Sequence, residues 1–266
     1  MGVDFKVVIP ARLGSTRLPR KVLREVAGKP VIRHVWDAAQ KSGAAQILIA
    51  TDSDEVLQAC KSFGAEARMT AASHNSGTDR VNEIAQILRW QGDDIVVNVQ
   101  GDEPLMPPAL IRQCARLLSL DPQAHLATLC HPLHALEDWL NPNVVKLVKD
   151  SRDYALYFSR APIPWQRPST SSGQAQPTVE NFPRGLAYRH IGLYAYRVAA
   201  LRQFSVLPAA ELENCEALEQ LRALAAGLRI KVGVTHTPPP RGVDTEEDLA
   251  AVAGLMARAG GAPVLR

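Results

Sequence analysis

Phe5-Lys6-Val7-Val8-Ile9-Pro10 runs directly into Ala11-Arg12-Leu13-Gly14-Ser15-Thr16-Arg17-Leu18-Pro19-Arg20-Lys21, and Gly28-Lys29-Pro30 follows soon after. The apolar run reads as a buried strand opening onto a basic loop. Cations at positions 12, 17, 20 and 21, with a glycine, two hydroxyls and a stiffening proline, suit a polyphosphate. Backbone N–H groups and arginine forks bind its oxygens while lysine neutralises charge. This is not a Walker P-loop, because no Gly-Lys-Ser/Thr follows four residues after a glycine. A solvated basic loop is the competing reading. The position directly behind a strand favours a ligand, since open α/β sheets bind beyond the carboxyl ends of their strands.

Outward from this stretch, strand-like runs at 5–11, 46–51, 95–100 and 125–129 alternate with helical periodicity at 30–42 and 108–120. That rhythm predicts βαβ units and a largely parallel sheet. A further helix is expected over 79–90, and Ser53 before Asp54-Glu55 caps another. Beyond Tyr154–Ser159 lies a Pro-, Ser- and Gln-rich stretch, 161–183, followed by strand alternation at 190–196, a short helix at 198–204 and one long helix over 211–227. Residues 150–205 are therefore expected as a small strand-and-loop lobe inserted on a single α/β domain spanning 1–266, suited to sugar binding or dimer contact. A strand at 229–235 and a helix at 246–259 close the chain.

At 266 residues, 46% hydrophobic, 21% charged and with a net charge of +3, the composition is that of a globular domain, too weakly basic to argue for nucleic acid. Cys60, Cys114, Cys130 and Cys215 lack metal-ligand spacing and read as buried thiols of a reducing compartment. No signal peptide and no run of about 18 apolar residues is present, so a cytoplasmic protein without membrane insertion is expected.

Four further constellations bear on chemistry. Gln100-Gly101-Asp102-Glu103-Pro104 follows the strand at 95, where a carboxylate beside a polyphosphate suits Mg²⁺ and an acidic turn is the alternative. Gly242-Val243-Asp244-Thr245-Glu246-Glu247-Asp248 is a helix start capped by Thr245, an explanation that does not need Asp244. His74-Asn75-Ser76-Gly77-Thr78-Asp79-Arg80 can wrap a ribose or base edge, or simply cap a helix. Arg160, His190, Tyr194 and Leu218-Glu219-Gln220-Leu221-Arg222 suit a carboxylated polyol, although each alone is more often structural.

Taken in order with Tyr157-Phe158-Ser159-Arg160, Arg189-His190-Ile191-Gly192-Leu193-Tyr194 and Val243-Asp244-Thr245, these motifs closely resemble the CMP-KDO synthetases (3-deoxy-manno-octulosonate cytidylyltransferases) from about residue 5 to 255. The resemblance implies a Rossmann-like nucleotidyltransferase fold and a homodimer. The implied reaction is Mg²⁺-dependent transfer of CMP from CTP to KDO for lipopolysaccharide synthesis. Carried over, Arg12, Ser15, Arg17 and Lys21 hold the triphosphate, and Ser76, Gly77, Thr78, Arg80 and Gln100 line the cytidine pocket. Asp102 and Asp244 bind magnesium and, with Arg12 and Lys21, form the catalytic set. Gln100, Arg160, His190, Tyr194, Glu219 and Gln220 bind KDO. Two departures stand out: Arg20 replaces the family's usual glycine, and 166–183 is longer and richer in Ser and Gln. The competing functions are a cytidylyltransferase for a sialic acid or amino-KDO and a nucleotide-sensing protein without turnover. A sugar-1-phosphate nucleotidyltransferase would carry a Gly-Thr-Arg-Leu loop with a downstream Pro-Lys, which is absent.

Overall fold

The computed structural model describes residues 2–15, 17–74, 76–167, 182–240 and 242–260. Most of the Ser/Gln-rich segment 166–183 lies outside them. In chain order the elements are β1 (Lys6–Ala11), β2 (Glu25–Val26), β3 (Lys29–Pro30), α1 (Val31–Gln40), β4 (Gln46–Thr51), α2 (Asp54–Ser62), β5 (Ala67–Met69), α3 (Gly77–Ile87), β6 (Ile95–Asn98) and α4 (Pro108–Ser119). There follow β7 (Leu126–Pro132), α5 (Leu136–Leu140), β8 (Lys146–Lys149), β9 (Ala155–Ser159), β10 (Tyr188–Arg197), α6 (Val198–Ser205), α7 (Glu211–Glu216), α8 (Gln220–Ala225), β11 (Ile230–Val234) and α9 (Glu246–Gly260).

The main sheet has the order β11-β7-β10-β6-β1-β4-β5. β1 pairs in parallel with β4 and β6, β4 with β5, and β11 with β7, so the carboxyl ends of these strands share one edge. Val7, Val8 and Ile9 are all fully buried, which places β1 under helices on both faces, as its unbroken apolar run requires. In α1 the apolar stripe Val31, Ile32, Val35 and Ala39 is buried, matching the helical period.

Two expectations are corrected. Residues 150–205 do not form one inserted lobe. β10 runs antiparallel through the main sheet between β6 and β7, and only β8 and β9 form a side extension, joined through β10. The long helix over 211–227 is instead α7 and α8, separated at Ala217, whose φ of 49° is left-handed. Tertiary contacts override local propensity there: Arg160 Nε and Nη2 donate to the carbonyls of Glu216 (2.7 Å) and Ala217 (3.4 Å) exposed by the break. Cys60, Cys114 and Cys130 are buried as expected, whereas Cys215 is exposed on α7.

β10 carries a bulge between Ile191 and Tyr194, opposite Thr128 and Leu129 of β7. The buried Thr128 hydroxyl fills it, lying 3.1 Å from the Ile191 carbonyl, 2.9 Å from that of Leu193 and 3.1 Å from His190 Nε2. Donation from Thr128 to a carbonyl makes His190 Nε2–H the donor to Thr128. Burial, with Arg189 adding to it, pushes the His190 pKa down to about 3. An unfolded imidazole titrates near 6.5. Between those values the unfolded chain binds a proton that the fold excludes, so stability falls as pH drops, by up to about 1.4 kcal/mol per pH unit. Urea unfolding at successive pH values checks this: His190→Asn is expected to lose less stability than the wild type below the imidazole range, and parallel pH profiles would refute it.

Candidate active site

The cleft lies beyond the carboxyl edge of the sheet and encloses about 440 Å³. Its lining comes from the loop after β1 (Arg12, Ser15, Arg17, Lys21), the start of α3 (Ser76, Gly77, Arg80), the turn after β6 (Gln100, Asp102) and Asp244 ahead of α9. The loop is shaped from within, since the Ser15 hydroxyl accepts the Leu18 N–H at 3.4 Å and Leu18 packs in a small core with Val26, Val31, Val243 and Val252. Arg20 adopts φ 57°, ψ 27°, the left-handed geometry that glycine takes freely, and its guanidinium pairs with Glu55. Of the four loop cations, Arg12, Arg17 and Lys21 line the cleft and Arg20 does not.

Lys21 joins the two carboxylates. Its Nζ donates to Asp102 Oδ2 and, at 3.0 Å, to Asp244 Oδ1, while Arg17 Nη2 lies 2.9 Å from Asp244 Oδ2. Burial pulls the Lys21 pKa down, but Asp102 and Asp244 outweigh it and leave the pKa raised. Backbone contacts hold these carboxylates together. A Cβ at Gly101 would sit 2.7 Å from the Pro10 carbonyl, so only glycine lets the β6 turn reach β1. The Val243 N–H donates to the Asp102 carbonyl at 2.8 Å. Thr245 and Asp248 cap α9 between themselves, leaving the Asp244 carboxylate outside the cap's side-chain exchange. Glu103, beside this pair, has its pKa raised to about 7 by burial and by Asp102 and Asp244, against the pull of Arg189.

One ammonium nitrogen touching both carboxylates means that a single cation can be reached by Asp102 and Asp244 together. Two hard carboxylates completed by phosphate oxygens and water are a donor set that Mg²⁺ accepts, so the residues present fit it. Among the described residues no group of three or more His, Cys, Asp or Glu side chains is placed to hold a metal, so substrate oxygens and water would complete its shell.

On the other side of the cleft, Ser76 and Asp79 form a reciprocal capping box on α3, with Asp79 N–H donating to Ser76 Oγ and Ser76 N–H to Asp79 Oδ2, both at 3.2 Å. A Cβ at Gly77 would meet the Pro10 ring at 3.0 Å, so this turn packs directly on the end of β1. Thr78 is buried and donates to Glu219 Oε2 at 2.9 Å rather than lining the cleft. Arg80 lines the cleft, but its guanidinium clamps the ends of β4 and β5 through Asp52 (2.5 Å), Thr70 (2.8 Å) and the Ala71 carbonyl (3.1 Å). These contacts engage three of its five guanidinium N–H groups and fix its place in the pocket wall.

Of the residues expected to bind sugar, Gln100 lines the cleft, whereas Arg160, His190, Tyr194, Glu219 and Gln220 lie outside its lining. His190 stands 5.3 Å from Tyr194 and 4.9 Å from Phe158, ring centre to ring centre. Tyr194 OH, Glu219 Oε1 and Asn98 Oδ1 are buried without partners, which leaves hydrogen-bonding capacity for a polar ligand. Burial raises the Glu219 pKa despite hydrogen bonds from Ser76 and Thr78. Gln220 begins α8 directly after Glu219. Arg160 is engaged with the chain's own carbonyls. Its Nε, Nη1 and Nη2 donate to the carbonyls of Glu216, Pro142 (3.1 Å) and Ala217, and its backbone N–H to the Glu216 carboxylate at 2.8 Å. Lys146, fully buried, reinforces this corner by donating to the carbonyls of Asn141 (2.8 Å) and Arg160 (2.6 Å). Sequence reasoning did not assign His74, Val22 or Gly101 to the lining. Their signal, a histidine and a glycine inside motifs already singled out, was present but not separable from capping and turn roles.

Fold and cleft together define an α/β protein with a mostly parallel sheet, whose carboxyl edge carries a cleft lined by arginines, a lysine and paired carboxylates. A cytidylyltransferase family model matches residues 6–230, and the chain belongs to the cytidylyltransferase family. The 3-deoxy-manno-octulosonate cytidylyltransferase of Cellvibrio japonicus (strain Ueda107) is 51% identical over 254 residues, covering 96% of this chain and 98% of that one. That of Marinobacter nauticus (strain ATCC 700491 / DSM 11845 / VT8) is 51% identical over 97% of this chain and 99% of its own. A CMP:2-keto-3-deoxy-manno-octonic acid synthetase solved in complex with CTP superposes with a TM-score of 0.85 at 39% identity, over 97% of this chain and all of that one. A cytidylyltransferase from Leptospira borgpetersenii serovar Hardjo-bovis (strain JB197) shares the fold at a TM-score of 0.60 and 14% identity, covering 96% of this chain and 87% of its own.

Proposed function

We propose that this protein transfers CMP from CTP to 3-deoxy-D-manno-octulosonate, releasing pyrophosphate. The carrying observation is the cleft in which Arg17 and Lys21 meet Asp102 and Asp244. The relatives named for this reaction and the CTP complex of the structural neighbour support it. In the reaction the oxygen of the sugar's anomeric hydroxyl attacks the α-phosphorus, the bond to the β-phosphate oxygen breaks to release pyrophosphate, and the hydroxyl proton passes to solvent water. No covalent enzyme intermediate is required. Catalysis is positioning and charge stabilisation.

Arg12, Arg17 and Lys21 neutralise the triphosphate and the leaving pyrophosphate, and Ser15 holds the loop that presents them. Ser76, Gly77 and Gln100 face the nucleoside, with Thr78 and Arg80 shaping its pocket from behind. Asp102 and Asp244 would hold Mg²⁺, which would supply Lewis-acid charge stabilisation at the phosphates when bound. His190, Tyr194, Glu219, Gln220 and Gln100 receive the sugar, whose hydroxyls match the unpartnered atoms beneath the cleft. Arg160 holds the α7–α8 break that carries Glu219, and three of its five N–H groups are engaged, leaving two for the sugar carboxylate. A second copy of the chain is proposed to cover the exposed Leu140, Trp165 and Leu186, which surround the small core of Trp139 and Phe182. The buried free thiols support a cytosolic location.

A pyrophosphate-release assay crossing CTP, UTP, ATP and GTP with KDO and a sialic acid tests the reading: turnover is expected with CTP and KDO, and preference for another sugar would overturn it. Asp102→Asn and Asp244→Asn are each expected to lose about 10²-fold or more in kcat with an unchanged circular dichroism spectrum, by the size of preorganised electrostatic effects. Near-normal turnover in either would remove the metal assignment. Arg160→Ala is expected to raise KM for KDO by about tenfold, the cost of a lost charge-assisted hydrogen bond, while calorimetric CTP affinity stays constant. A parallel fall in CTP affinity would instead show that the α7–α8 break acts on the nucleotide loop through Glu219 and Thr78. Sedimentation should give the mass of a dimer, and a monomer at micromolar concentration would remove the second copy.

A further inference from the structure

His74 stands in the wall between two clefts. It lines the nucleotide cleft beside Ser76, Gly77 and Gln100, and it also lines a second cleft of about 550 Å³ with Asp79, Asn82 and Glu83. Glu83 lines only the second of these. Glu83 Oε2 lies 2.5 Å from His74 Nε2 and also accepts the Ala71 N–H at 2.9 Å. A carboxylate at this distance holds the proton on Nε2. In the neutral ring Nδ1 is then an acceptor, and it is the ring nitrogen that the Glu83 contact does not occupy.

Cytosine and uracil differ at C4, where one carries an amino donor and the other a carbonyl acceptor. Telling them apart requires a group of fixed polarity. Gln100 carries both a donor and an acceptor on an amide that can turn over, so either base satisfies it. Ser76 Oγ is engaged with the Asp79 N–H, and the Arg80 guanidinium is held by Asp52, Thr70 and Ala71. His74 has its tautomer set from behind by Glu83, so among these side chains it alone presents a fixed acceptor. We propose that His74 Nδ1 is the specificity-determining group that accepts the 4-amino group of cytosine, with Glu83 as the positioning residue that keeps the proton on Nε2. This rests on the CTP-dependent reading above. A uracil nucleotide would set its O4 against the Nδ1 lone pair and leave both unpaired, the kind of mismatch that discriminates most strongly.

The experiment measures kcat/KM with saturating KDO for CTP, UTP and the triphosphate of 2-pyrimidinone riboside, which carries hydrogen at C4. The wild type should favour CTP over both others. His74→Ala should shrink the CTP-to-UTP ratio by at least about tenfold, mainly by lowering CTP, and should leave the 2-pyrimidinone nucleotide nearly unchanged. Glu83→Ala, which frees the tautomer, should shrink the ratio by a smaller factor. If His74→Ala lowers all three nucleotides equally, or leaves the ratio intact, the proposal is overturned and His74 serves only to hold the 71–76 loop on α3. A wild type without preference between CTP and UTP overturns it as well. Should a variant lose turnover, calorimetric affinities for the same three nucleotides carry the comparison. A wild type that binds CTP selectively but releases no pyrophosphate would overturn the transferase reading and still test His74 by those affinities.

Discussion

The contact of the Lys21 ammonium with Asp102 and Asp244 is the constraint on which the site depends. It joins residues separated by 81 and 223 positions in sequence. With Arg17 added, two cations face two carboxylates, so the cluster is neutral and each charge is compensated by its neighbours. Partly buried charges of this kind resist removal of any one member, because the remainder is left without its counter-charge. On the proposed function, a triphosphate and a divalent cation would substitute like for like into this arrangement, phosphate oxygens taking the arginine and lysine and a metal the carboxylates.

Close backbone packing makes that contact geometrically possible. Gly101 approaches the Pro10 carbonyl too closely for a side chain and Gly77 packs tightly on the Pro10 ring, so the β6 turn and the start of α3 converge on the end of β1. The Val243 N–H then fixes the approach to α9 on the Asp102 carbonyl. Beneath this surface, Thr78 reaches Glu219 and ties the start of α3 to the α7–α8 break. Tyr194 OH, Glu219 Oε1 and Asn98 Oδ1 are buried without partners, a desolvation cost that the fold carries.

Much of this was legible in the sequence wherever local chemistry is sufficient. The continuous apolar run of β1, the period of α1 and α4, the Ser53 and Ser76 caps and the acidic turn after β6 each follow from residues within a few positions of one another. So did the separation of Asp244 from the Thr245–Asp248 cap, because a helix start accounts for its neighbours and not for it. Order and spacing of the motifs were also enough to indicate the family.

What the sequence by itself determined was therefore the alternation of strands and helices, the basic loop and the identity of the charged groups at the sheet edge. Tertiary structure alone decided their partners. It placed β10 antiparallel within the sheet, broke the 211–227 helix at Ala217, turned Arg20 toward Glu55 and committed Arg160 and Arg80 to carbonyls and to Asp52. The physical reason is that strand neighbours, left-handed breaks and the partner of a long cationic side chain are set by contacts between segments tens to hundreds of residues apart, where periodicity and capping carry no information.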